Sequence, residues 1–176
     1  MADADKWEEY KKGIAPRKEY LMSYLSEHIT VKAKDGITLH ADYFPVEGSK
    51  KIAVCFHGYT SAGMANASFA SFLHKQGISC ILVDNRAHGQ SEGKYIGFGV
   101  LDSFDCIPWI NYVNERFGED TQILLYGVSM GGSTILMAAG LPDFPKNVKG
   151  IIADCGFTSP WEIIGHVFRS VIHLPS

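Results

Sequence analysis

The run Ile123-Leu124-Leu125-Tyr126-Gly127-Val128-Ser129-Met130-Gly131-Gly132 constrains this chain more than any other stretch. An apolar segment too short for a helix passes straight into Gly-x-Ser-x-Gly, and a helix-forming run, Ser133 to Ala139, follows at once. A serine hydroxyl is a weak nucleophile unless it is lifted clear of neighbouring side chains and met by a base. A sharp strand-to-helix turn does the lifting, but it strains the serine backbone and brings strand and helix close together. Positions two before and two after the serine then have little room for a Cβ, which fits Gly127 and Gly131. The same turn aims the Met130 N–H, at the start of the new helix, toward negative charge developing beside Ser129. The competing explanation is a glycine-containing turn of any α/β protein; a strand before and a helix after favour the catalytic reading.

The rest of the chain alternates in the same way. Lys6 to about Ser26 carries Trp7, Tyr10, Ile14, Tyr20, Leu21 and Leu25 at loosely helical spacing, with Pro16 expected to separate two helical pieces. His28–Lys34 and Ile37–Val46 alternate polar and apolar residues around Asp35-Gly36, as a β-hairpin with one wetted face does. Continuous apolar strands follow at Lys51–Phe56, Ile78–Val83 and Val148–Ala153. Between them lie a helix carrying Phe69, Phe72 and Leu73, and a longer one from Leu101 to Phe117 in which Pro108 marks a kink or a late start. Trp161 to about His173 reads as a last helix. Buried strands alternating with helices predict an α/β fold: a mostly parallel sheet with helices on both faces, entered through the antiparallel hairpin. We divide the chain into an N-terminal helical segment (1–27), an α/β core (28–159) and a helix that could begin a cap (160–176). The segments that interrupt the apolar runs, His57-Gly58-Tyr59, Asp84 to Gly93, Gly127 to Gly131 and Asp154-Cys155-Gly156, all fall at strand carboxyl ends, where such sheets bind ligands.

Bulk properties narrow the function classes. The length of 176 residues suits one domain. A net charge of -3 gives no reason to expect nucleic acid or an anionic membrane as a partner. The polar, acidic start is unlike a signal peptide, no apolar run reaches membrane-spanning length, and a cytoplasmic location is expected. Cys55, Cys80, Cys106 and Cys155 are scattered without metal-ligand spacing and are expected as buried, reduced thiols. The seven histidines show no metal spacing either, and the glycines near Ser129 form neither a Gly-x-Gly-x-x-Gly fingerprint nor a P-loop, so no cofactor is expected.

His57-Gly58-Tyr59, Asp84-Asn85-Arg86-Ala87-His88-Gly89-Gln90-Ser91 and Gly127-Val128-Ser129-Met130-Gly131 occur here in order and at strand ends. With them the chain, from about His28 to Thr158, resembles the α/β-hydrolase family, and within it bacterial serine hydrolases of esterase and acylaminoacyl-peptidase type. The resemblance implies an α/β-hydrolase-type sheet, Ser129 as nucleophile, and an oxyanion hole from the backbone N–H groups of Met130 and Tyr59. It implies carboxylic esters, thioesters or small acyl-peptides as substrates, and a structural role for the segment Asp84 to Ser91. The family's acid and histidine follow the serine, after the seventh and eighth strands; here only about six strands are counted. The resemblance therefore covers an amino-terminal portion, and the alternative is a catalytically incomplete hydrolase-like fragment or binding module.

Acids after Ser129 are Asp143, Asp154 and Glu162; histidines are His166 and His173. Asp154 ends a strand on the right edge of the sheet, where it either serves the triad or caps a turn. His166 and His173 fall with Glu162 and Arg169 on the polar side of the last helix, which reads as a solvated face. His57 and His88 line the pocket rather than serve as the base, and His28, His40 and His74 read as packing or surface residues. Tyr59, Met64, Tyr95, Phe98 and Phe157 are candidates for an apolar lining. A strand Val148–Ala153 left at the sheet edge would invite self-association.

Overall fold

A computed structural model describes residues 2–172, the side chains of 2–11, 166–168 and 170–172 excepted. In chain order the elements are α1 (Ala2–Met22), β1 (Glu27–Lys32), β2 (Thr38–Phe44), β3 (Lys51–Phe56), α2 (Ala67–Lys75), β4 (Ser79–Asp84), α3 (Val100–Phe117), β5 (Gln122–Val128), α4 (Met130–Ala139), β6 (Val148–Asp154) and α5 (Pro160–Ile172). They build one six-stranded sheet in the order β1-β2-β4-β3-β5-β6. β1 and β2 form the antiparallel hairpin, β2 lies antiparallel to β4, and β3, β4, β5 and β6 run parallel.

The continuous apolar runs become the central strands because both of their faces are covered. Ile52, Val54, Phe56, Ile81, Val83, Ile123 and Leu125 point to one side, where Trp109, Ile110 and Val113 of α3 and Ile135 of α4 close the layer. Ala53, Cys55, Cys80, Leu82 and Tyr126 point to the other, under Ala67, Ala70 and Leu73 of α2 and Leu21 of α1. Burying each large apolar side chain contributes about 1.5–3 kcal/mol, so Phe44, Phe56 and Trp109 anchor the two layers. The cores meet at the sheet and leave its carboxyl edge to loops.

Three local expectations are corrected. α1 runs unbroken through Pro16, because its last turns are held from outside: Leu21 is buried, Arg17 Nη1 donates to Ser68 Oγ at 2.9 Å, and the Tyr20 hydroxyl meets His74 Nδ1 at 3.1 Å. α3 starts at Val100, well before Pro108, because the Gly99 amide is taken by the Asp102 carboxylate at 3.0 Å, which fixes the first turn. Cys155 is exposed, unlike the three buried cysteines, since it sits just past the end of β6 in a left-handed conformation, φ 54°. Among the described residues β6 has one strand partner, β5, and all of its residues are half-buried or exposed. No helix among the described residues is long and apolar enough to cross a membrane.

Candidate active site

Ser129 stands between β5 and α4 with φ 52° and ψ −115°, a conformation that costs a non-glycine residue about 1–3 kcal/mol. The flanking glycines explain how it is held. A Cβ on Gly127 would lie 2.3 Å from the Gly131 carbonyl oxygen, and one on Gly131 would lie 2.2 Å from that of Phe56. The Ser129 amide donates to the Asp154 carbonyl at 2.7 Å, tying the turn to the end of β6. The serine is half-buried, and Met130, its side chain sunk in the core, begins α4. As the first helical residue, Met130 has an amide hydrogen with no intrahelical acceptor, at the positive end of the helix dipole.

The loop after β3 arrives beside this turn. A Cβ on Gly58 would lie 3.5 Å from both Ser129 Cβ and the Val128 carbonyl oxygen, ordinary contact distance, so the loop runs alongside the turn with room for about one methyl group between them. His57 fixes the approach. Its Nδ1–H donates to the Gly58 carbonyl at 2.7 Å, and its Nε2 accepts the Asn85 amide at 3.0 Å. The Asn85 side chain returns a bond to the His57 carbonyl at 2.9 Å. This ring is neutral by construction, and burial lowers its pKa in the same direction. His88 acts similarly: Nδ1–H donates to the Arg86 carbonyl at 2.9 Å, and Nε2 accepts the Thr60 amide at 3.2 Å. Both imidazoles have spent both nitrogens on the backbone, so neither is placed as a base.

The segment Asp84 to Ser91 is a scaffold. Asp84 accepts the Gly63 amide and the Gln90 amide, each at 2.8 Å, while Ser91 Oγ donates to the Asp84 carbonyl and accepts the His40 amide. Gly89, φ 53°, leaves room for that carboxylate, which a Cβ would meet at 2.1 Å. Arg86 makes a bidentate pair with Asp105 of α3 at 2.6 and 2.7 Å and reaches Asp35 at 3.1 Å. These bonds hold the guanidinium firmly charged. Asp102 and Asp105 were missed in the sequence reading; two carboxylates on the helix face that also carries Cys106 and Trp109 were the available signal.

Of the remaining described acids and histidines, Asp154 alone is shown bonded to the turn, and through its backbone. Asp154 is exposed; its carbonyl serves Ser129, and its carboxylate accepts the Cys155 thiol at 3.1 Å, which raises the thiol pKa. Glu162 is exposed and accepts Thr158 at 3.0 Å, and Asp143 is exposed in the loop after α4. His28 pairs with Asp42 at 2.6 Å on the hairpin, and His74 is bonded to Tyr20 and to the Pro45 carbonyl. His173 and the side chain of His166 lie outside the described residues. No group of three His, Cys, Asp or Glu that could hold a metal ion occurs among the described residues. Of the candidate apolar lining, Tyr59 and Phe98 stack at 5.2 Å, Met64 packs under the sheet, Tyr95 is exposed, and the Phe157 backbone is tied to Ser133 Oγ. A cavity of about 730 Å³ opens next to the turn, between Gly58, Val128 and Asp154 on one side and Arg17, Phe69 and Phe72 on the other.

Comparison with known proteins shows the family and the fold. Residues 47–173 match the family described as serine aminopeptidase, S33. The chain is 30% identical over 140 residues to the uncharacterized protein YfhR of Escherichia coli (strain K12), covering 76% of this chain and 48% of that one. It is 31% identical over 140 residues to the thiohydrolase aneE of Aspergillus aculeatus, covering 73% and 40%. The Pyrococcus furiosus esterase Pf2001 superposes with a TM-score of 0.73 at 25% identity, over 88% of this chain and 61% of its own. The chain belongs to the S33 serine aminopeptidase family of α/β-hydrolases. It spans about half or less of the length of the curated relatives it matches.

Proposed function

We propose that Ser129 is the nucleophile of a hydrolase acting on carboxylic esters, thioesters or small acyl-peptides, through an acyl-serine intermediate. The observation that carries this reading is the Ser129 conformation, φ 52°, at a strand–helix junction that the Gly58 loop runs alongside. A strained serine at a strand–helix junction presents its hydroxyl, and the Met130 and Tyr59 amides are the donors for a tetrahedral oxyanion. In the reaction the Ser129 oxygen attacks the acyl carbonyl, the leaving alcohol, thiol or amine departs with a proton, and water then releases the acid. The names of two relatives, a thiohydrolase and an esterase, support the substrate class.

The base comes from outside the described side chains, because the described histidines near Ser129, His57 and His88, are committed to the backbone. The second reading, a hydrolase-like binding module without turnover, rests on that same fact. Hydrolysis of a p-nitrophenyl ester separates them. Oxyanion donors and binding without a full triad give about 10³–10⁴-fold acceleration over water. Turnover above that level that falls back to it in Ser129→Ala is the catalytic outcome; a rate no higher than that level, or one unchanged in Ser129→Ala, rejects the catalytic reading.

A further inference from the structure

The turns around Ser129 contain an aromatic pair that neither the core nor the proposed catalysis uses. Tyr59 and Phe98 stack with centroids 5.2 Å apart and planes 27° from parallel. His88 stands at right angles to Tyr59, with centroids 6.4 Å apart. Despite these neighbours, 52% of Tyr59 is exposed. It directly follows Gly58, on which an added Cβ would reach contact distance, 3.5 Å, of Ser129 Cβ.

Phe98 is held in place by more than its partner. Its φ of 46° is left-handed, which a bulky side chain adopts only where the surroundings enforce it. Gly97 and Gly99 flank it. A Cβ on Gly97 would meet the Asp102 carboxylate at 2.5 Å, and one on Gly99 would lie 3.3 Å from Ser133 Cβ and Met137 Sδ of α4. The Gly99 amide is bonded to Asp102, which is 1% exposed. The loop is therefore clamped between α3 and α4, and it sets Phe98 against Tyr59. A packed tyrosine would be covered all round; this one has Phe98 against its ring and His88 edge-on, and half of its surface stays exposed.

We propose that the open face of Tyr59, backed by Phe98, is the seat for an aromatic group carried by the substrate of Ser129. This assignment rests on the proposed function and narrows it to aryl-bearing esters or acyl compounds. Aromatic rings favour offset stacking on a fixed ring over contact with a saturated group of equal size, which translates into about three- to tenfold in affinity. The rigid backing matters, because a preorganised ring loses little freedom when it is covered.

The test compares two inert neutral probes, phenylacetamide and cyclohexylacetamide, titrated into the ¹⁵N-labelled full chain. Phenylacetamide should bind about three- to tenfold more tightly and perturb chiefly the Tyr59, Thr60 and Phe98 amides. The preference should vanish in Tyr59→Ala, weaken in Phe98→Leu, and survive in Tyr59→Phe, since stacking needs the ring and not the hydroxyl. It should also survive in Ser129→Ala, so a failure of the hydrolase reading and a failure of this one give different results. Equal affinities, perturbations centred elsewhere, or a loss in Tyr59→Phe as large as in Tyr59→Ala would overturn the proposal.

Discussion

The amide of Ser129 and the carbonyl of Asp154 are joined by a 2.7 Å hydrogen bond, so the end of β6 pins the residue at the head of α4. A serine in a left-handed conformation relaxes unless its neighbours forbid it, and here three do. Gly127 and Gly131 allow strand and helix to close up, and Asp154 holds the amide in line. The site is thus a property of the sheet edge as a whole. Thr60, Ala87, Phe98, Ser129 and Cys155, the non-glycine residues with positive φ among those described, all lie in the loops around that edge.

The glycines give the first prediction. Gly131→Ala drives a methyl to 2.2 Å from the Phe56 carbonyl, and the strand or helix must move. We expect a loss of about 1–3 kcal/mol in urea unfolding, the range for forced overpacking. Gly13→Ala, inside α1 with nothing within 4 Å, is the control and should be neutral or stabilising.

His57 gives a pH dependence. Its pKa is lowered by burial, so the folded state binds fewer protons than the unfolded state below the ordinary histidine pKa of about 6.5. Stability therefore falls as pH drops below that value, by up to about 1.4 kcal/mol per pH unit for the one group. Protonation also puts a hydrogen on Nε2, against the Asn85 amide. The melting temperature followed from pH 7.5 to 5 should decline, and the decline should be shallower in His57→Gln.

Much of this was legible in the sequence, for physical reasons. The strand runs Lys51–Phe56 and Ile78–Val83 announce themselves because parallel strands covered on both faces are apolar along nearly their whole length. The spacing of Gly127, Ser129 and Gly131 reports a steric condition that only glycine satisfies. Other features were hidden because they depend on distant partners. Pro16 reads as a break, yet contacts from Ser68 and His74 hold the last turns of that helix in place. Asp105 reads as one more charge on a helix until Arg86, nineteen residues earlier, is brought to it. The Tyr59–Phe98 stack joins loops 39 residues apart, and no periodicity records such a meeting.

The edge strand leads to a proposal about assembly. β6 is paired on one side, and Ile152 is 42% exposed. An unpaired strand with apolar side chains recruits another edge. We propose that this chain self-associates through β6. Light scattering across a dilution series should show a mass that rises with concentration, and Ile152→Lys should hold the chain monomeric. A monomer at all concentrations contradicts it.

The central claim concerns the Ser129 hydroxyl, and labelling by a fluorophosphonate probe tests it most directly. The probe forms a covalent bond to an activated serine and can be located by peptide mass. The account predicts a single adduct on the peptide containing Ser129, forming slowly for want of a base among the described side chains and absent from Ser129→Ala. No adduct after prolonged exposure, or an adduct on another residue that persists in Ser129→Ala, would contradict it.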